Sequence, residues 1–275
     1  MYLSLGGKRN EDLILPINDS ISVTLSSDQM HAKTTVAKST SFDSDRIWLN
    51  GKEESISNPR LVNCLREVRK RANVNDVEHV HICSMNNFPT AAGLASSAAG
   101  YACLVYALCT LFEIKDDFSE IARQGSGSAC RSIYGGFVQW HMGSQENGKD
   151  SIASIVENAD HWPNLRILIL VASDEQKKVP SSTGMKRSVE TSALIHYRAE
   201  TIVPDRIRRM RKAISDKNFE VFAQLTMEDS NQLHAVCLDT YPPCVYMNKV
   251  SHTIVQMVHQ YNQICNATKV MNFIA

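Results

Sequence analysis

Apolar and polar residues alternate along the first sixty positions, as in Ile21-Ser22-Val23-Thr24-Leu25, and β-branched runs such as Thr34-Thr35-Val36 recur. A period of two puts one face of each segment into a core, which predicts antiparallel strands. Ile47-Trp48-Leu49 runs into Asn50-Gly51, a pair that accepts positive φ in a tight primed turn, and so predicts a hairpin. Beyond Asn58-Pro59 the period lengthens. Leu61, Leu65 and Val68 fall on one helical face, with Arg66, Arg69, Lys70 and Arg71 outside as a solvated face. Val77 to Cys83 predicts a strand, Ala98 to Leu111 an alanine-rich helix buried on most sides, and Gly136 to His141 and Leu165 to Ala172 two more strands. The last is almost wholly apolar, as a strand central in its sheet would be.

From Ser188 to Glu200, Pro204 to Ser215, Phe219 to Cys237 and Tyr246 to Gln263 apolar residues recur every three to four positions, so the C-terminal third reads as helical. The composition shift over residues 173–184 predicts the boundary of an α+β chain, with a sheet-rich part over 1–180 and a helical part over 181–275. The 275 residues are 43% hydrophobic, and 29 Lys+Arg balance 29 Asp+Glu. That suits one large or two small domains and argues against a broadly basic nucleic-acid binder. The longest apolar stretch, Ala98 to Cys109, is shorter than the ~20 residues that cross a bilayer, and Met1 to Lys8 leaves no room for a secretory signal. The expected address is the cytosol, with neither a membrane nor a nucleic acid as partner. Cysteines stand at 64, 83, 103, 109, 130, 237, 244 and 265 without a C-x-x-C pair, as free thiols in a reducing compartment do. His79, His81 and Cys83 would share one strand face, as metal ligands can. Without a spaced second pair, such a trio is more often ordinary strand side chains.

Three segments carry candidate chemistry. Pro89 to Gly100 (PTAAGLASSAAG) is a small-residue loop between a predicted strand and a long helix. Small side chains let a ligand reach the backbone, and the free N–H groups of a helix's first turn suit phosphate oxygens. Ser96 and Ser97 add hydroxyl donors or magnesium ligands. The segment lacks the terminal lysine of a P-loop, so a strand-to-helix turn with capping serines is an equal reading. Gly125 to Ser132 (GSGSACRS) offers a backbone nest, hydroxyls and the planar fork of Arg131; its competing reading is a linker. Neither loop has the G-x-S-x-G elbow of serine hydrolases. Lys177 to Met185 follows the apolar segment with two cations and three hydroxyls, as a ligand loop or a solvated one. Asp150, Asp174 and Asp239 are available as bases, with no spacing that selects one.

Asn86 to Gly100 (NNFPTAAGLASSAAG), Gly125 to Arg131 and Lys8 to Asn18 (KRNEDLILPIN) closely resemble the diphosphomevalonate decarboxylases. Asp45 to Gly51, Leu225 to Gln232 and His234 to Pro243 extend the likeness through nearly the whole chain. More loosely, the chain is similar to the superfamily of galactokinase, homoserine kinase, mevalonate kinase and phosphomevalonate kinase. The resemblance implies a sheet-rich part like ribosomal protein S5 domain 2, a helical C-terminal part, and a homodimer. It also implies an ATP- and Mg2+-dependent decarboxylation of mevalonate diphosphate to isopentenyl diphosphate, in isoprenoid and sterol precursor synthesis. In such enzymes ATP phosphorylates the tertiary hydroxyl, phosphate departs, and loss of the neighbouring carboxylate quenches the positive charge left behind. Crowded anions then require amides, magnesium and arginines to offset their repulsion. Position by position, Ala92, Gly93, Leu94, Ala95, Ser96, Ser97 and Lys178 match ATP-binding positions, with Ser97 also meeting magnesium. Ser126, Gly127, Ser128, Ala129, Cys130 and Arg131 match the grip on the substrate's diphosphate and carboxylate, joined by Lys8, Arg60 and Ser182. Ser97, Ser128 and Arg131 are the residues the resemblance assigns to catalysis.

Two departures carry their own expectation. The family's opening strand ends in Lys-Tyr-Trp-Gly-Lys, whereas Ser4-Leu5-Gly6-Gly7-Lys8 puts Leu5 at the substrate-facing tyrosine. The family's Asp-Ala-Gly-Pro-Asn motif, with its catalytic aspartate, would follow Thr268-Lys269-Val270; Met271-Asn272-Phe273-Ile274-Ala275 stands there, with Ala275 at the aspartate's place. The expectation is a chain truncated at both ends. Loss of a positioned base costs ~10²–10⁴-fold in rate, so it is also expected to be a poor catalyst. The rival functions are a non-catalytic isoform that binds anions or a full-length partner subunit, and a small-molecule kinase of the same superfamily.

Overall fold

The computed structural model describes residues 6–73, 78–88, 96–171 and 178–274. Two compact units emerge, and their division does not run at a single point near residue 180. Thr24–Tyr134 with Ser151–Ala153 form one unit; Met1–Val23, Gly135–Asp150 and Ser154–Ala275 form the other. Strand pairing is the reason. Ser20–Val23 pairs antiparallel with Phe137–Trp140, which binds the start of the chain to the second unit.

In the unit spanning Thr24–Tyr134, a four-stranded sheet runs in the order β4 (Ala32–Ser39), β7 (His79–Asn86), β5 (Arg46–Leu49), β6 (Lys52–Glu54). The β5–β6 hairpin turns at Asn50 and Gly51, with φ of 50° and 81°, the primed geometry expected of Asn-Gly. β7 pairs antiparallel with β4 and parallel with β5. α1 (Pro59–Ala72) starts on the Asn58 side chain with a proline in its first turn, and stops at Asn73, where φ is 52° and the N–H returns to the Arg69 and Lys70 carbonyls. α2 (Ser96–Leu111), α3 (Ser119–Gly125) and α4 (Ala129–Ser132) follow. Val80 and Ile82 of β7 face Leu61, Cys64, Leu65 and Val68 of α1 and Ala98, Ala102, Val105 and Leu108 of α2 in one core. Each large apolar side chain buried there contributes about 1.5–3 kcal/mol. Thr24 Oγ1 donates to the Tyr134 carbonyl at 3.2 Å, tying the two ends of this unit together.

Among its described residues the other unit contains the pair β1 (Lys8–Asn10) and β2 (Leu15–Pro16), a three-stranded sheet β3 (Ser20–Val23), β8 (Phe137–Trp140), β9 (Ala153–Glu157), and five helices. These are α5 (Ser181–Thr191), α6 (Ala193–Tyr197), α7 (Val203–Ser215), α8 (Phe219–Asp239) and α9 (Lys249–Ile264), with a π-helical turn, Arg198–Ile202, between α6 and α7. Ile21 and Phe137 of the sheet pack on Val203, Ile207, Met210 and Ile214 of α7 and on Phe222 and Leu225 of α8. Arg198 and Asp229, both fully buried, form an ion pair at 2.6 Å; Arg206 reaches the same carboxylate oxygen at 3.1 Å, and Gln232 Oε1 accepts from both arginines.

The predicted central strand Leu165 to Ala172 is not one. Residues 165–171 have no regular structure, Ala172 lies outside the described residues, and Leu168 and Leu170 are 82% and 58% exposed. The run has the composition of a central strand, but among the described residues no strand pairs with it. Among the described residues no helix is long and apolar enough to cross a membrane.

Candidate active site

Ser96 and Ser97 open α2; Ser97 is exposed, and the first turn carries no acidic side chain. A helix start of this kind leaves N–H groups and hydroxyls for an anion. Ala92, Gly93, Leu94 and Ala95 lie outside the described residues. α4, which carries Arg131, packs against α2, and α3 packs there too. Gly125 explains how closely: a β-carbon on it would stand 2.3 Å from Tyr101 Cδ1 of α2.

The glycine-serine loop was expected to form an amide nest, and its geometry differs. Neither Gly125 nor Gly127 has positive φ, and the amides of Ser126, Ala129 and Arg131 donate to the carbonyls of Ala122, Ser126 and Ser128 at 3.0, 2.8 and 3.3 Å. A nest needs alternating backbone conformations and free amides. What the loop offers is side chains. Ser126 is buried, Gly127 and Ser128 are half-buried, and Arg131 is 2% exposed, where burial pushes its guanidinium down from its usual range. Ala129 and Cys130 are fully buried. The Cys130 thiol, pushed by burial up to about 12, donates to the Gly127 carbonyl at 3.1 Å and acts as a structural group. Arg60, exposed in the first turn of α1, is close enough to oppose the rise of Tyr101, whose hydroxyl burial and the Cys64 thiol push up to about 12.

Three expected residues belong to the other unit. Lys8 Nζ is buried and bonded to Glu11 at 2.6 Å, on a strand that packs against α5. A β-carbon on the preceding Gly7 would come within 2.4 Å of Val189 Cγ2 in α5. Ser182 is not in a loop, as the sequence suggested: with Ser181 it forms the exposed first turn of α5, after Pro180, which gives no side-chain cap. Lys178 is exposed just before it, and Lys177 lies outside the described residues. Asp150 and Asp239 are tied into turns, the first by the Ser144 and Gln145 amides, the second by the Ser192 hydroxyl and the Leu194 amide. Asp174, Leu5 and Ala275 lie outside the described residues.

Sequence reading missed a recess on the sheet face opposite α2. It measures about 490 Å³ and is lined by Trp48, Gly51, His81, Cys83, Ser84 and Met85. His81 stacks on Phe42 with centroids 3.7 Å apart and meets Trp48 edge-on at 5.5 Å. The Arg46 guanidinium lies 4.8 Å over the Trp48 ring and is held there by a two-pronged bond to Glu53. The only sequence signal was the alternation of His79, His81 and Cys83 on one face. The two histidines serve neighbours: His79 Nδ1 stands 3.5 Å from Asp45, and His81 packs on Phe42 and Trp48; among the described residues no group of three or more His, Cys, Asp or Glu is arranged to hold a metal ion.

A mixed sheet covered by a small-residue helix, with a serine start and a buried arginine beside it, and a separate bundle-like helical unit define an α+β fold of the small-molecule kinase superfamily. Residues 2–153 match the diphosphomevalonate decarboxylase-like N-terminal domain, and residues 167–272 the mevalonate 5-diphosphate decarboxylase C-terminal domain. A diphosphomevalonate decarboxylase of Danio rerio is 59% identical over 273 residues, covering 96% of this chain and 68% of the relative. A crystal structure of mevalonate 5-diphosphate decarboxylase superposes with a TM-score of 0.92 at 44% identity, over 100% of this chain and 73% of that one. A solved complex of MDDEF with MVAPP, AMPPCP and magnesium gives 0.78 at 32% identity, over 96% and 80%. The chain belongs to the diphosphomevalonate decarboxylase family.

Proposed function

We propose that the chain uses ATP to decarboxylate mevalonate diphosphate, giving isopentenyl diphosphate, ADP, phosphate and carbon dioxide. The observation that carries this reading is the packing of α4 against α2, which sets the helix of Arg131 beside the helix that opens with Ser96 and Ser97. The solved relative holds MVAPP, AMPPCP and magnesium together, and that supports a shared polyanion site of this kind.

In this reading Ala92 to Ser97 and Lys178 meet the ATP phosphates, and Trp48 and His81 hold the adenine ring in the recess beside β7 by apolar and stacking contact. The exposed Ser97 hydroxyl, in a first turn without carboxylates, fits the role of a magnesium contact. Magnesium, when bound, supplies charge neutralisation on the phosphates. Arg60, Ser126, Gly127, Ser128, Ala129, Cys130 and Arg131 are assigned to mevalonate diphosphate, as are Lys8 and Ser182 by resemblance. Arg131 has the defining role. Its buried, fixed fork binds two oxygens of a diphosphate or carboxylate, in surroundings where a charge-assisted bond is roughly twice as strong as a neutral one. Family resemblance also supports a cytosolic homodimer, which sedimentation velocity tests.

The test is to incubate the chain with ATP, Mg2+ and (R)-mevalonate diphosphate carrying a labelled carboxyl, and to count carbon dioxide against ADP. Stoichiometric gas release supports the proposal. Phosphorylated product without gas would assign the chain to the kinases of the superfamily, and no turnover would overturn it.

A further inference from the structure

The first turn of α5, which carries Ser181 and Ser182, is braced from below by one side chain. Tyr246 Oη donates to the Val179 carbonyl at 3.2 Å, two residues ahead of the helix. A β-carbon on Gly184 would stand 2.4 Å from that same Oη and 3.6 Å from Cys244 Sγ, so a glycine at 184 is what lets the tyrosine reach in. Burial, with the Cys244 and Cys237 thiols, pushes the Tyr246 phenol up to about 12, which keeps it a proton donor across the physiological range. The far end of α5 has other anchors. Ser188 bonds the Thr240 hydroxyl at 2.7 Å, the Tyr241 amide donates to Thr191 Oγ1 at 2.8 Å, and Ser192, just past the helix, bonds Asp239 at 2.6 Å.

We infer that Tyr246 is a positioning residue for substrate binding: it holds the α5 first turn so that the Ser182 hydroxyl and the uncapped amides meet the diphosphate of mevalonate diphosphate. The inference rests on the assignment of Ser182 proposed above. Tyr246 touches no reacting atom; it acts through the helix it supports. Gly184 is part of the same device, because any larger residue there displaces the phenol.

Calorimetric titration of mevalonate diphosphate into the full chain, with Tyr246→Phe, Ser182→Ala and the double variant, tests this. Tyr246→Phe keeps the ring and removes the hydroxyl with its bond to the Val179 carbonyl, so affinity is expected to fall roughly fivefold with ATP affinity unchanged. The double variant is expected to lose less affinity than the sum of the two single losses, because Tyr246 acts in part through Ser182, whereas independent effects would add. Hydrogen exchange at the amides of residues 181–184 is expected to quicken in Tyr246→Phe while α8 keeps its protection. Unchanged affinity, full additivity or unchanged exchange would overturn the inference while leaving the proposed function standing. Failure of the unsubstituted chain to bind mevalonate diphosphate would overturn both.

Discussion

The ring of Tyr101 lies directly against the backbone of Gly125, with Cδ1 2.3 Å from the place where a β-carbon would be. This contact seats α3 on α2 and thereby sets the approach of the Gly125 to Arg131 segment. Gly125→Ala forces either the ring or the helix to move. Overpacking of this kind costs about 1–3 kcal/mol, expected as a lower urea midpoint with an unchanged slope. Tyr101→Leu in the same chain is expected to recover part of that loss, and absence of recovery would show that the clash lies elsewhere.

Arg131 is expected to be intolerant of lysine. The substitution keeps the charge but replaces a planar fork by a single point donor, and its site is almost fully buried. The expected result is a KM for mevalonate diphosphate raised about tenfold or more, with the KM for ATP close to normal. Equal loss on both substrates would argue against the assignment.

Removal of Asp229 takes the carboxylate away from the fully buried Arg198 guanidinium. Asp229→Leu is expected to cost about 3–5 kcal/mol in equilibrium unfolding. Arg206→Met should cost less, since that side chain keeps 12% of its surface and Arg198 still holds the carboxylate.

Asp45 links stability to acid. Burial pushes its carboxyl up, but the Arg69 guanidinium, the Val80 amide and His79 outweigh this and hold it below 3.8. A carboxyl with the lower value in the folded state stabilises above its unfolded value, and that contribution disappears as pH falls through the folded one. Asp45→Asn is therefore expected to be less stable than the parent at pH 6, and to lose less on acidification below about pH 4. Parallel acid curves for the two proteins would refute this link.

The segment around Leu168 separates two readings of the chain. For a central strand, lysine at 168 and 170 would be ruinous. Both side chains are exposed here, and the double variant Leu168→Lys, Leu170→Lys is expected to change the unfolding free energy by no more than about 0.5 kcal/mol while raising solubility.

That segment also shows where sequence reading stops. The Asn50-Gly51 hairpin, the Asn58-Pro59 start of α1 and three of the four long C-terminal periodic runs were legible because local chemistry decides them, whereas the run from Ser188 to Glu200 is broken at Ser192 between α5 and α6. Residues 165–171 carry a strand's composition, but a strand exists only where another offers its hydrogen bonds, and composition does not reveal the neighbour. Strand β9 and the short helices α3 and α4 were missed because each is too brief for a period to show. In the proposed site, residue types at Ser96, Ser97 and Arg131 were visible. The packing of α4 on α2, the seating of α3 on α2 through Gly125, the helical setting of Ser182, and the Phe42, His81 and Trp48 recess depend on residues distant in sequence.

One consequence concerns the order of assembly. Strand β3 emerges early in synthesis and must wait for β8, more than a hundred residues later, before it has a partner. Closing so long a span is entropically slow for a loose chain. The hydrogen bond from Thr24 to Tyr134 shortens it: once residues 24–134 have folded, the ends of the two waiting strands already sit side by side. A fault inside residues 24–134 is therefore expected to delay the pairing of β3 with β8 as well.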